Sequence, residues 1–178
     1  MRELKLEFMK PAWLKTLQDE LTGAKRVVLV GVGNPARGDD AAGVLIAQKI
    51  EAALLENKKQ TLRFEKIDVV IAEDVIENYT GKIRKLRPTH IIIVDACMSG
   101  NLPGAVSIVD QSKIDDGEVS THRLPLTMAI EYFKQELHAK TVLLGIEPQE
   151  ITCEETISAV IKDAIETTSS VLCKYFSE

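Results

Sequence analysis

Three cysteines and three histidines are few for a chain of 178 residues. Cys97, Cys153 and Cys173 are widely spaced and form no C-x-x-C pair, and their odd count and spacing point to reduced thiols in a cytoplasmic protein. No run of about 18 apolar residues occurs, so no transmembrane helix or membrane insertion is expected. The N-terminus alternates charged and apolar residues and lacks the apolar core of a signal peptide. Positive charge is also short: 22 Lys and Arg stand against 27 Asp and Glu. The resulting excess of negative charge opposes non-specific binding to nucleic acid, which needs a basic footprint. Repeats, linkers and low-complexity segments are missing, so residues 1–178 are expected to form a single domain, with 1–23 a helical N-terminal extension.

What the chain does have is concentrated between Arg26 and Gly43, RVVLVGVGNPARGDDAAG. Val27 to Val30 are consecutive, apolar and mostly β-branched, too few for a helix and suited to a strand buried on both faces. Gly31 and Gly33 end the run. Gly38, Asp39 and Asp40 then lead into a helix expected from about Asp40 to Leu55, with Val44, Leu45, Ala47 and Ile50 on its apolar side. Strand, glycine turn and helix together present a site at the carboxyl end of the first strand. Either acid can cap the helix. The N-cap holds one residue, so the other carboxylate faces the crevice.

The remaining pattern alternates strands and helices. Pro11 suits the first turn of a helix that carries Trp13, Leu14, Leu17 and Leu21 and ends at Gly23. This helix packs on the sheet or, alternatively, offers Trp13 to a partner. Strands are predicted over 62–71, 90–96, 105–109 and 141–146, the last stopped by Gly145 and Pro148. A short helix precedes Pro88, another carries Leu126, Ala129, Ile130, Phe133 and Leu137, and a last one is predicted from Glu154 to Phe176. The fold class is α/β: a three-layer α/β/α sandwich around a mostly parallel, twisted sheet of about five strands. Asp40 follows the first strand and Asp95 ends the third, so both can reach one crevice. His122 lies in a loop.

Several chemistries compete for that crevice. Gly31-Val32-Gly33-Asn34-Pro35-Ala36 satisfies a permissive dinucleotide fingerprint of an oxidoreductase. Pro35 removes an N–H donor, however, and two acids put negative charge where a pyrophosphate would sit. Two carboxylates and an imidazole suit nickel, zinc or manganese better than a thiolate-seeking ion. A Cys97–His122 hydrolase is a third possibility. His90 and His138 have no acidic or histidine neighbour at ligand spacing and are left out.

GVGNPARGDDAAG closely resembles the GxGNxxxxDD/DExxG signature of the hydrogenase maturation proteases. IIIVDA, STHRLPL and LLGIEP resemble that family's later segments, in the same order, and NYTGKIRKLRP with STHRLPL is closest to the branch serving hydrogenase-3-type, formate hydrogenlyase enzymes. The resemblance implies an aspartic-type endopeptidase that removes a C-terminal peptide from the large-subunit precursor of a [NiFe] hydrogenase once nickel is inserted. It implies that Asp40, Asp95 and His122 are the catalytic and metal-contacting residues, with nickel supplied by the substrate. Gly31, Gly33, Asn34, Gly38 and Gly43 would shape the loop around Asp40, and Asp39 would support it. The expected protein is a cytoplasmic monomer whose partner is the precursor; the non-enzymatic alternative is a nickel-binding assembly factor. Two departures stand out: Ile71-Ala72-Glu73 replaces an acid followed by glycine, and Ile76 replaces a proline before Glu77-Asn78.

Overall fold

The computed structural model describes residues 11–56, 61–110, 123–151 and 156–177. Five strands form one sheet: β1 (Arg26–Val32), β2 (Lys66–Glu73), β3 (His90–Ala96), β4 (Val106–Val109) and β5 (Lys140–Ile146), in the order β2-β1-β3-β5-β4. All neighbours are parallel except β4, which pairs antiparallel with β5 at one edge. Among the described residues the helices are α1 (Ala12–Glu20), α2 (Ala42–Glu56), α3 (Thr80–Leu86), α4 (Arg123–Glu136) and α5 (Ala159–Phe176). Single 3-10 turns, Gly38–Ala41 and Ile76–Tyr79, precede α2 and α3. Among the described residues no helix is long and apolar enough to cross a membrane.

The two-residue period of the central strands divides the core. Val27 and Leu29 of β1, with Ile92 and Val94 of β3, face α1, α2 and α5, where Leu17, Ile46, Ile50, Ile165 and Phe176 are buried. Val28, Val30, Ile91 and Ile93 face the other way, against Ile83 of α3 and Leu126 and Phe133 of α4. Both sheet faces are therefore covered, which is why β1 and β3 read as unbroken apolar runs. This is the expected α/β sandwich.

The route of the chain places the site. From β1 the chain crosses through α2 to β2 on one side; from β2 it crosses through α3 to β3 on the other side of β1. Strand order thus reverses between β1 and β3, and their carboxyl ends flank a crevice at the switch point.

Three expectations are corrected. β2 begins at Lys66, not Leu62. The preceding residues instead close the end of α5: Arg63 donates its backbone N–H to the Phe176 carbonyl (2.9 Å) and its Nε–H to that of Tyr175 (3.0 Å). Those are last-turn carbonyls that have no partner within a helix. α5 begins at Ala159 and not Glu154, because Ser158 is extended (φ −63°, ψ 152°). Gly145 does not stop β5 but lies inside it, where a Cβ would meet Val109 Cγ2 at 2.7 Å and Cys97 Cβ at 2.9 Å. The first reading of the N-terminal helix holds: Trp13 is only 9% exposed and packs in the core, so α1 covers the sheet, and the alternative in which it carries that ring to a partner falls away.

Gly43 lies where α2 meets both central strands. A Cβ there would stand 2.1 Å from the Val94 carbonyl oxygen and 2.3 Å from that of Val32. Gly43→Ala is therefore expected to lower stability by about 3 kcal/mol in urea unfolding. Gly81→Ala, in α3 with nothing within 4 Å of its Cβ, should raise it by about 1 kcal/mol.

Candidate active site

Among the described residues the buried acids are Asp39, Asp40, Asp95 and Glu147. All four lie at the carboxyl ends of the parallel strands: two after β1, one at the end of β3 and one just after β5. Burying a carboxylate is costly unless hydrogen bonds or an opposite charge compensate it, so their convergence on one edge calls for an explanation.

Asp40 sits in the 3-10 turn between β1 and α2 and is fully buried. Gly33 (φ +136°) lets the loop fold back so closely that a Cβ would stand 1.9 Å from the Asp40 carbonyl oxygen. Asn34 then donates its backbone N–H to Asp40 Oδ2 (3.0 Å). Its side chain is fixed in turn: Oδ1 accepts from the Ala36 N–H (2.9 Å) and Nδ2 donates to Asp74 Oδ2 (3.1 Å). Gly38 supplies a second left-handed step (φ +55°) just before Asp39. Gly31 lies beneath, where a Cβ would be 2.5 Å from Ala47 Cβ and 2.6 Å from the Gly43 carbonyl oxygen.

Asp95 lies one residue past Val94, which pairs with Gly31 of β1. It is fully buried, and its Oδ1 accepts the Ala96 N–H (2.9 Å). Asp40 and Asp95 therefore emerge from adjacent strands on either side of the Gly43 contact. His122 falls outside the described residues. Among those described, no three His, Cys, Asp or Glu side chains gather as a metal-binding group.

Asp39 does not cap α2. Its Oδ2 accepts N–H groups from Gln149 (2.9 Å) and Glu150 (3.1 Å) and the Ser158 hydroxyl (3.0 Å), while Oδ1 accepts the Ser158 N–H (2.8 Å). The first acid of the pair thus ties together Gln149 and Glu150, after β5, and Ser158, the residue before α5. Glu147, which sequence reasoning missed, acts in the same way on the other side. Its Oε2 accepts from the N–H (2.8 Å) and Oγ (2.7 Å) of Ser99 and the N–H of Asn101 (3.1 Å). The available signal was an acid directly after a buried strand, a position that seldom stays buried without partners.

The other candidates separate cleanly. Cys97 is fully buried, and its thiol is pushed well above its ordinary range by burial first, then by the nearby charges of Asp95 and Glu147. A thiolate is disfavoured there, which counts against the Cys–His reading. His90 begins β3 at the opposite edge of the sheet, beside Thr89 Oγ1 (3.1 Å), with its pKa lowered by burial and Lys140. His138 lies in the turn before β5, also at that opposite edge. In the departing segment, Ala72 is buried and Glu73 takes the left-handed backbone (φ +49°) that glycine adopts freely. Its carbonyl accepts the Gly33 N–H (3.0 Å), and Asp74 is thereby set against Asn34.

Comparison with known proteins agrees with this architecture. A family model described as hydrogenase maturation protease matches residues 44–175. The hydrogenase 3 maturation protease of Escherichia coli K12 is 36% identical over 141 residues, 79% of this chain and 84% of that protein. Among solved structures, a [NiFe] hydrogenase maturation protease from Thermococcus kodakarensis KOD1 aligns with a TM-score of 0.75 and 31% identity, covering 92% of this chain and 99% of its own. The solution structure of an Escherichia coli endopeptidase aligns at 0.67 with 34% identity, covering 82% and 87%.

Two outcomes follow from the buried acids and the thiol. Asp39→Ala leaves three backbone N–H groups without their acceptor and should cost about 3 kcal/mol in urea unfolding, with faster amide exchange at Gln149, Glu150 and Ser158. The raised Cys97 pKa means that above about pH 8.5 the unfolded chain loses the thiol proton while the folded one keeps it. Stability should then fall as pH rises, by up to about 1.4 kcal/mol per pH unit from this group. Cys97→Ala should flatten that slope, measured as unfolding free energy from pH 7 to 10.

Proposed function

Because the chain belongs to the hydrogenase maturation protease family, a family of hydrolases, we propose that it removes the C-terminal peptide from the large-subunit precursor of a [NiFe] hydrogenase after nickel insertion. The observation that carries this reading is the pair of fully buried carboxylates, Asp40 and Asp95, at the carboxyl ends of adjacent parallel strands. A negative crevice of this kind favours a cation over a phosphate, which also counts against the dinucleotide alternative.

In this reading nickel arrives with the precursor as part of the substrate. Asp40 and Asp95, with His122, complete its coordination; carboxylate and imidazole donors suit a borderline divalent ion. The ion supplies electrophilic polarisation of the scissile carbonyl. Asn34 holds one oxygen of Asp40 in place, and the Ala96 N–H does the same for Asp95, so the carboxylates meet the substrate already oriented. A carboxylate of this pair acts as general base toward the attacking water. The reaction is placed in the cytoplasm, with one copy of the chain acting on one precursor.

The test is cleavage of nickel-loaded precursor, with the product identified by mass spectrometry. Loss of a C-terminal peptide is expected only when nickel is present. Asp40→Asn keeps an acceptor for the Asn34 N–H and should fold normally, yet lower the cleavage rate by about 100-fold or more. His122→Ala should do likewise. Purified protein should hold little metal; tightly bound stoichiometric zinc would contradict a substrate-borne ion. Binding of the precursor without cleavage would favour an assembly factor.

A further inference from the structure

Near its carboxyl end β2 breaks register with β1. Gly31 pairs with Ile71, but the next residue, Val32, pairs with Glu73, so Ala72 is an extra residue in β2. A bulge of this kind re-aims the side chains that follow it. Ala72 is buried, and Glu73 takes the left-handed backbone (φ +49°), a costly conformation for a residue other than glycine. Two backbone bonds fix the result: the Glu73 carbonyl accepts the Gly33 N–H (3.0 Å), and the Val75 N–H donates to the Ala72 carbonyl (3.2 Å). Between them stands Asp74, whose Oδ2 accepts from Asn34 Nδ2 (3.1 Å).

Hydrogen bonds of two kinds meet at Asn34. Within its own loop, its N–H donates to Asp40 Oδ2 (3.0 Å), its Oδ1 accepts the Ala36 N–H (2.9 Å) and its carbonyl accepts the Arg37 N–H (3.0 Å). The Arg37 carbonyl accepts in turn from the Asp40 N–H (3.2 Å), so residues 34–40 are a linked series of turns. The bond to Asp74 is of the other kind, since it ties the Asn34 side chain to the end of a neighbouring strand. The inner bonds set the shape of the loop; the outer one sets where Asn34 stands against the sheet. Asp74 is exposed, so this bond adds little net stability. A strained backbone spent on an exposed bond does little for stability and much for orientation. We propose that Asp74 is a positioning residue for the cleavage reaction: it holds Asn34 and, through the Asn34 N–H, the Asp40 carboxylate in the orientation that meets the substrate. The assignment rests on the protease reading given above.

The experiment compares steady-state cleavage of nickel-loaded precursor by the unaltered protein, by Asp74→Ala, Asp74→Asn and Asn34→Ala, and by the double variant Asp74→Ala/Asn34→Ala. Both Asp74 variants should melt at the temperature of the unaltered protein. Asp74→Ala is expected to lower kcat/KM about tenfold, the scale of a small misplacement at a reacting centre. Asp74→Asn keeps an oxygen that accepts from Asn34 Nδ2 and should restore the rate to within about twofold. In the Asn34→Ala background the loss of Asp74 should have no further effect, because its partner is already gone. Amide exchange at Asn34 supplies a readout apart from activity: it should quicken in Asp74→Ala and not in Asp74→Asn. An unchanged rate in Asp74→Ala, an Asp74→Asn protein as slow as Asp74→Ala, additive losses in the double variant, or unaltered exchange at Asn34 each overturns the positioning role and leaves the protease reading intact. No cleavage by the unaltered protein overturns both.

Discussion

The close approach of α2 to the carboxyl ends of β1 and β3 is the constraint on which the rest of the structure depends. At Gly43 the helix backbone lies against the carbonyls of Val32 and Val94, and no larger residue fits without moving a strand. Gly31 makes room from the strand side, under Ala47 and the Gly43 carbonyl. The gap between the strand end and the helix start is then bridged by a loop that must fold tightly back on itself. Gly33 and Gly38 supply the left-handed steps, and Asp40 is carried into the buried crevice beside Asp95. A nucleotide-binding turn would begin its helix at once and leave N–H groups for phosphate. This one inserts a 3-10 turn and fills the position with carboxylates.

Around this contact, buried charge does two kinds of work. Asp39 and Glu147 face protein: each is compensated by backbone N–H groups and a serine hydroxyl from distant loops. They hold Gln149, Glu150 and Ser158 on one side, and Ser99 and Asn101 on the other. Hydrogen bonds of this type, with an ionised acceptor, are among the stronger ones in proteins. Asp40 and Asp95 are each held by one local backbone N–H, from Asn34 and Ala96. Four carboxylates at one edge also make that edge strongly negative, which favours a metal-bearing substrate over an anionic one.

The fold was legible because its strongest signals are local. Val27–Val30 and Ile91–Val94 are unbroken apolar runs, and the position of β3 in the structure is the one its sequence predicts. The three-layer arrangement follows once such runs alternate with amphipathic helices. Glycine was harder to read. Gly145 resembles a strand stop, yet the structure uses its missing side chain to admit Cys97 and Val109. Likewise the strand predicted over 62–71 starts later than expected, because Phe64 packs edge-on against Tyr175 and Phe176 instead of extending β2.

The sequence by itself determined the sheet's buried strands, the glycine turn and the placing of Asp40 and Asp95 at the ends of strands, because each of these depends on residues within a few positions of one another. Only the tertiary structure decided how the four buried acids are divided. Asp39 finds its donors at Gln149, Glu150 and Ser158, and Glu147 finds its own at Ser99 and Asn101. Adjacent acids at 39 and 40 look equivalent along the chain. They differ because a carboxylate's role is set by what lies opposite it in space, and for Asp39 that is a loop more than a hundred residues away.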